Sequence, residues 1–148
     1  MDYNFLAFRQ CAGRLYNKLF EPLQQKYGLN QMEINILLFL YNNPQYDCAS
    51  DIVKVRRLTK SHVSSSVGSL CARDLLNKSI SSTDRKTIHL ILSNKAIKIA
   101  SEGREIQKRF FKKLFCGISE KEVMLFIGTT EKILLNINRE LEGEKHNV

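Results

Sequence analysis

Between Leu58 and Leu76 the sequence reads LTKSHVSSSVGSLCARDLL, a run in which Thr59, Lys60, Ser61, His62, Ser64, Ser65 and Ser69 all carry short polar or cationic side chains. Hydroxyls of this size allow close approach to a grooved surface and bond phosphate oxygens or base edges, and lysine supplies a counter-charge. A second segment ending in STDRKTIHL sets Arg85 and Lys86 side by side. Adjacent cations repel one another in isolation, and a polyanionic groove relieves that repulsion. The bland alternatives are a merely polar helix surface and a solvated loop.

The elements that hold these groups can be read from periodicity. Val63, Val67 and Leu70 recur at spacings of four and three, opposite the hydroxyl face, which predicts a helix from Lys60 to about Arg73 with Thr59 as its N-cap. Three consecutive serines are poor helix formers because their hydroxyls compete for the backbone, so keeping them mid-helix points to work for those hydroxyls. Behind the helix, Leu76 and Ile80, then Ile88, Leu90 and Leu92, alternate with polar residues. That pattern predicts two strands with one dry face each, joined by a turn over Thr83 to Lys86. A helix able to enter a major groove, followed by a hairpin able to reach the adjacent backbone, is the arrangement of a winged helix-turn-helix.

The flanks read as helices. Residues 4 to 27 carry two apolar stripes, one with Phe5, Phe8, Leu15, Leu19 and Leu23 and one with Leu6, Tyr16, Phe20 and Tyr27. Burial on more than one side suits a subunit interface. Pro22 is expected to kink this helix or restart it, and Gly28 to stop it. Asn30 to Glu33 has capping-box spacing and opens a helix over 31 to 43, with Ile34, Leu37, Leu38 and Tyr41 inward and Asn42-Asn43-Pro44 ending it. A short helix follows around Ser50 to Arg56. Ser93 can cap a long helix from Asn94 to about Phe115, with Ile97, Ile106, Phe110, Phe111, Leu114 and Phe115 inside. Gly117 breaks it, and Ser119 to Glu122 is a second capping box opening a last helix to about Leu141. Phe126, Ile133, Leu134 and Ile137 on that helix, with Phe5 and Phe8, are the candidate dimerisation residues, since three helices offer more apolar surface than one small domain covers. The fold class is mainly α with a small β-hairpin: a winged module over 30 to 93 between dimerisation helices at 4 to 28 and 94 to 141, one unit over 1 to 148.

Charge supports a polyanionic partner. The chain carries a formal +8, and residues 54 to 86 hold eight basic against two acidic residues, a local +6, whereas the last 29 residues sit at −2. Cys11, Cys48, Cys71 and Cys116 are too far apart for a CxxC pair and are expected to be reduced, buried and inert. His62, His89 and His146 form no ligand cluster among themselves, so neither a metal nor another cofactor is expected. No run approaches a membrane span and no secretory segment is seen, which points to a cytoplasmic chain. No nucleophile–base pair, paired carboxylates or glycine-rich phosphate loop suggests an enzyme.

In order and spacing these residues resemble the MarR family of transcriptional regulators over roughly Phe5 to Leu141. Pro22-Leu23 with Tyr27-Gly28-Leu29-Asn30 resembles that family's junction between its first two helices. Leu58 to Ser64 resembles its recognition-helix opening, Leu70 its closing leucine, and Leu90 to Asn94 its strand-to-helix junction. Asp74 stands where the family has glycine, and Arg56-Arg57 where it has Leu-Gly. Arg85 and Lys86 stand where its wing tip reads Asp-x-Arg, leaving open which enters the minor groove. The resemblance implies a homodimeric repressor on a pseudo-palindromic DNA operator with half-sites roughly 10 bp apart. Arg57, Thr59, Lys60, Ser61, His62, Ser64, Ser65, Ser69, Arg85 and Lys86 would contact DNA. A small apolar or phenolic effector would act at Tyr16, Phe20, Met32 and Phe111. Two other readings stay open: a thiol-based redox regulator using Cys11, and a winged-helix protein-interaction module. The histidine and carboxylate clusters of the family's zinc sensors are missing here.

Overall fold

A computed structural model describes residues 2–80 and 87–143. The element order is α1 (Asp2–Tyr27), α2 (Gln31–Asn42), α3 (Ala49–Arg56), α4 (Lys60–Ala72), β1 (Leu76–Ile80), β2 (Ile88–Leu92), α5 (Asn94–Leu114) and α6 (Glu120–Gly143). The chain divides into two units, one ending at Phe110 and the other beginning at Phe111.

Local chemistry sets the boundaries in the first unit. Helix α1 runs on through Pro22 without a break, against expectation. Phe20 and Leu23, on either side of the proline, are both buried, and this packing holds the helix where one backbone hydrogen bond is lost. Gly28 takes φ +60, and the Leu29 amide donates to the Gln24 carbonyl at 3.1 Å, closing α1 with a left-handed Schellman turn. Arg73 seals this end by donating to the carbonyls of Gly28 (2.7 Å) and Tyr27 (2.6 Å). The capping box of α2 forms as expected: Glu33 N–H donates to Asn30 Oδ1 at 2.9 Å, and Asn30 N–H to Glu33 Oε2 at 2.8 Å. The backbone and side-chain amides of Asn43 both donate to the Phe39 carbonyl and end that helix.

The core joins both flanks to the winged module. Phe20 and Leu23 of α1, Ile34, Leu37 and Leu38 of α2, Val63, Val67 and Leu70 of α4, and Ala96, Ile99 and Ala100 of α5 are all buried. The inner face of α5 differs from the expected one. Ala96, Ile99, Ala100, Gly103, Ile106 and Phe110 face inward, while Ile97 and Phe111 are exposed. At Gly103 this face meets Leu38 of α2 closely: a Cβ there would stand 3.1 Å from Leu38 Cδ2.

The hairpin pairs Leu76 with Leu92 through Ile80 with Ile88, antiparallel. Its dry face covers only the base. Leu76 and Leu90 are buried, but Ile80 is 65% and Ile88 44% exposed, because the outer half of the hairpin has left the core behind. At its other edge β2 gains a short partner: the Leu90 amide donates to the Asp47 carbonyl at 2.7 Å, and Cys48 bridges His89.

In the second unit, Gly117 (φ +78) turns the chain, and the Ser119–Glu122 capping box opens α6. Phe115 packs edge-on against Phe126 at 5.9 Å. None of the described side chains of α6 is buried, and Met124, Leu125 and Leu135 join Phe126, Ile133, Leu134 and Ile137 as exposed apolar residues.

Candidate nucleic-acid interface

Helix α4 turns its apolar stripe inward and its polar face out. Val63 is 1% exposed, Val67 4% and Leu70 0%, whereas Thr59, Lys60, Ser61, His62, Ser64 and Ser65 are all exposed. Thr59 has the extended backbone of an N-cap (φ −72, ψ 141) and its carbonyl receives the Val63 amide, but its hydroxyl makes no capping bond. The first-turn amides therefore lack the side-chain acceptor the sequence suggested, and the partial positive charge of the helix end stays uncompensated on the outer side.

Ser69 differs from its neighbours. Its hydroxyl donates to Glu33 Oε1 at 2.5 Å, and Glu33 is only 5% exposed. That hydroxyl is bonded within the module, although Ser69 itself is exposed like Ser61, Ser64 and Ser65.

Arg57 is exposed and stands just before α4 in the left-handed region at φ 52, where the resemblance calls for glycine. Asp74 holds the corresponding place after α4 at φ 56, with the Leu75 amide returning to the Leu70 carbonyl at 2.9 Å. Asp tolerates this conformation better than most residues. Arg73, counted in the basic segment, is occupied by the end of α1. Arg85 and Lys86, with the expected turn over residues 83 to 86, lie outside the described residues.

Beside this face, α3, α4 and the hairpin enclose a cavity of 390 Å³. Val53, Val67 and Leu90 contribute apolar lining, and the exposed Lys54, Lys60 and Lys78 add three cations. Sequence reading counted Lys54 and Lys78 as charge but did not bring them to Lys60, because that requires the β1 and α3 registers.

Three of the four expected effector residues, Tyr16, Phe20 and Met32, lie in the first unit. Phe20 is fully buried, Tyr16 stacks on it at 4.6 Å and meets Phe110 edge-on at 5.2 Å, and Met32 is half-buried against the core. The Tyr16 hydroxyl accepts from Gln107 Nε2 at 3.1 Å, and burial raises its pKa above the usual phenol value. Phe111 belongs to the other unit, exposed and stacked on Phe115. None of the four lines the 390 Å³ cavity.

The expectation of buried cysteines fails. Cys11 and Cys116 are exposed, and Cys48 and Cys71 only half-buried. Residue-type averages suggested burial, but Cys11 lies on the part of α1 that the unit's core does not cover. Of the three histidines, His62 is exposed on α4, His89 lies on β2, and His146 lies outside the described residues. His89 meets Asp47 and Cys48 across the short bridge, a gathering of residues 41 and 42 positions apart that no local spacing signals.

Residues 27–87, from the end of α1 to just before β2, match the sequence model of the MarR family. Over this segment the chain is similar to the MarR family. Its fold is that of solved members. A Staphylococcus aureus MepR–DNA complex aligns with TM-score 0.77 at 20% identity, covering 91% of this chain and 96% of that one. S. aureus MepR in its DNA-binding conformation gives 0.80 at 20% identity, covering 93% and 99%. A MarR transcriptional regulator from Methanosarcina mazei Go1 gives 0.76 at 14% identity, covering 94% and 99%. No curated protein sequence matches the chain. No helix among the described residues is long and apolar enough to cross a membrane.

Proposed function

We propose that this chain is a MarR-family, sequence-specific double-stranded DNA-binding transcription regulator, a homodimeric repressor on a pseudo-palindromic operator. One observation carries the reading: α4 buries Val63, Val67 and Leu70 and leaves Thr59, Lys60, Ser61, His62, Ser64 and Ser65 outward at an end whose amides receive no side-chain cap. Such a face offers phosphates both charge and directed hydrogen bonds. Arg57 stands beside it, and the sequence resemblance assigns Arg85 and Lys86 to the same contact. The exposed residues Phe5, Phe8, Phe126, Ile133, Leu134 and Ile137 supply the dimer contact. A small apolar or phenolic effector acts at Tyr16 and Met32, the two half-buried members of the expected wall. The fold shared with a MepR–DNA complex supports the assignment.

The test is binding of a duplex selected from a random pool, followed by fluorescence anisotropy across salt concentrations. Neutralising six to eight phosphates per dimer gives a slope of log affinity on log salt of about −5 to −7. Lys60→Glu, or reversal of Arg85 and Lys86, abolishes retention while a protein contact through the apolar helices would survive. A slope near −1 removes the basic face from the mechanism.

A thiol-responsive regulator of the same fold is the second reading. Cys11 is exposed, and the Arg14 guanidinium donates to its sulfur at 3.6 Å. Peroxide release of DNA that persists in Cys11→Ser excludes it.

A further inference from the structure

At the base of the hairpin, Asp47 and Cys48 from the loop between α2 and α3 meet His89 from β2. The antiparallel bridge between Cys48 and His89 sets these residues opposite one another, so their side chains share a face. Asp47 turns its carboxylate to the same ring: His89 Nδ1 lies 2.8 Å from Asp47 Oδ1 and 2.9 Å from Oδ2. The Cys48 sulfur lies 3.8 Å from that nitrogen and 3.4 Å from Asp47 Oδ1. One nitrogen, one sulfur and one carboxylate oxygen thus lie within 4.8 Å of one another, all three residues half-exposed.

We propose that Asp47, Cys48 and His89 form a binding site for a divalent cation of the zinc class, which clips the loop before α3 to the base of the wing. The donor set is borderline-soft, as such a cation prefers over magnesium or calcium. For bonds of about 2.0 Å to nitrogen and oxygen and about 2.3 Å to sulfur, tetrahedral coordination separates the donors by roughly 3.3–3.5 Å. The Cys48–Asp47 and Cys48–His89 distances, 3.4 and 3.8 Å, bracket the upper end of that range. Only the His89–Asp47 contact must open, by about half an ångström, as a hydrogen bond gives way to two coordination bonds. Thiolate and carboxylate together balance the two charges of the cation. Binding releases the thiol proton to solvent, and the neutral ring coordinates through Nδ1 with its proton on Nε2. Asp51 donates no ligand but accepts the Cys48 amide at 3.1 Å and fixes the loop. Without a cation, burial and the two neighbouring carboxylates hold the Cys48 thiol protonated, its pKa pushed up to about 11. Three protein donors leave a fourth position for water, as in open zinc sites.

The experiment is titration of cobalt(II), then zinc, into the full-length reduced protein carrying Cys11→Ser and Cys116→Ser, which removes the exposed thiols. One equivalent of cobalt per chain is expected to produce a thiolate-to-cobalt charge-transfer band that zinc abolishes. Adding Cys48→Ser removes the band. His89→Gln or Asp47→Asn weakens cobalt binding by at least the roughly tenfold to hundredfold typical of losing an outer-sphere partner. Circular dichroism establishes that each variant is folded, and His89→Gln keeps the test open should Cys48→Ser fail to fold. A folded protein with no such band, or a band unchanged by Cys48→Ser, overturns the proposal.

Discussion

Ser69→Ala separates the serine that builds the module from those that face outward. Glu33 is 5% exposed, and its two carboxylate oxygens receive the Asn30 amide at 2.8 Å and the Ser69 hydroxyl at 2.5 Å. Removing the hydroxyl leaves a buried carboxylate oxygen without its donor, and hydrogen bonds to charged groups contribute about 1.5–3 kcal/mol. At about 2–4 °C per kcal/mol for a chain of this size, the melting temperature falls by roughly 3–12 °C. Ser61→Ala and Ser65→Ala remove exposed hydroxyls and add helix propensity, so their stability stays within about 0.5 kcal/mol of the parent. Duplex affinity should show the opposite pattern. Losing a hydroxyl contact at 61 or 65 costs about 0.5–1.5 kcal/mol of binding, up to roughly tenfold, whereas Ser69→Ala, once folded, leaves affinity close to the parent's. Thermal melts at one fixed protein concentration and anisotropy with the selected duplex provide both measurements. A Ser69→Ala protein as stable as its parent but as weak on DNA as Ser65→Ala would refute the role given to the Ser69–Glu33 bond.

Two further outcomes follow from the same geometry. Leu134 is 52% exposed in the single chain, so half of its side chain is left for a partner to cover. Counted in both protomers, Leu134→Ala costs about 1.5–3 kcal/mol per dimer, roughly a tenfold to hundredfold rise in the dimer dissociation constant by sedimentation; an unchanged constant removes α6 from the interface. The Glu102 carboxyl is held below its ordinary range, first by the hydrogen bond from Lys26 at 2.8 Å and also by that from the Tyr27 hydroxyl. Its contribution is therefore present above the ordinary carboxylate pKa and lost as pH falls through the depressed native value. Acid melts of Glu102→Gln should be flatter across that window than the parent's, and identical acid limbs would count against the Lys26–Glu102 link.

Periodicity and caps made most of the architecture readable. The capping boxes at Asn30 and Ser119, the glycine stops at 28 and 117, and the inward stripe of α4 all depend on residues within a few positions of one another. What the sequence hid was set by tertiary packing. Pro22 lies inside α1 because Phe20 and Leu23 on both sides are held by the core. The inner face of α5 combines Ile99, Ile106 and Phe110 with the small residues Ala96, Ala100 and Gly103, and at Gly103 Leu38 of α2 leaves no room for a larger side chain. Ser69 is exposed like the other serines of α4, but its bond to Glu33, 36 positions earlier, has no local signature. The meeting of Asp47, Cys48 and His89 depends on a two-residue bridge, which leaves no periodic trace at all.

The cations around α4 also divide by role once they are placed. Arg73 faces the carbonyl end of α1, where it satisfies two orphan acceptors and helps fix the position of α4. Arg57 takes the opposite course. It occupies a left-handed turn at φ 52, a conformation that costs an L-residue roughly 1–2 kcal/mol and that glycine adopts freely. Glycine there would relax the turn but remove a cation from the approach to Thr59 and Lys60, at the helix end whose amides lack a side-chain cap. Asp74, also left-handed, closes the far end with a residue type suited to the conformation and of the wrong sign for phosphate. Within the described residues, positive charge is therefore concentrated at the beginning of α4 rather than spread along it. That polarity fits a recognition helix that meets the duplex by its N-terminal turn and uses its later residues, Ser69 among them, to hold itself to the core.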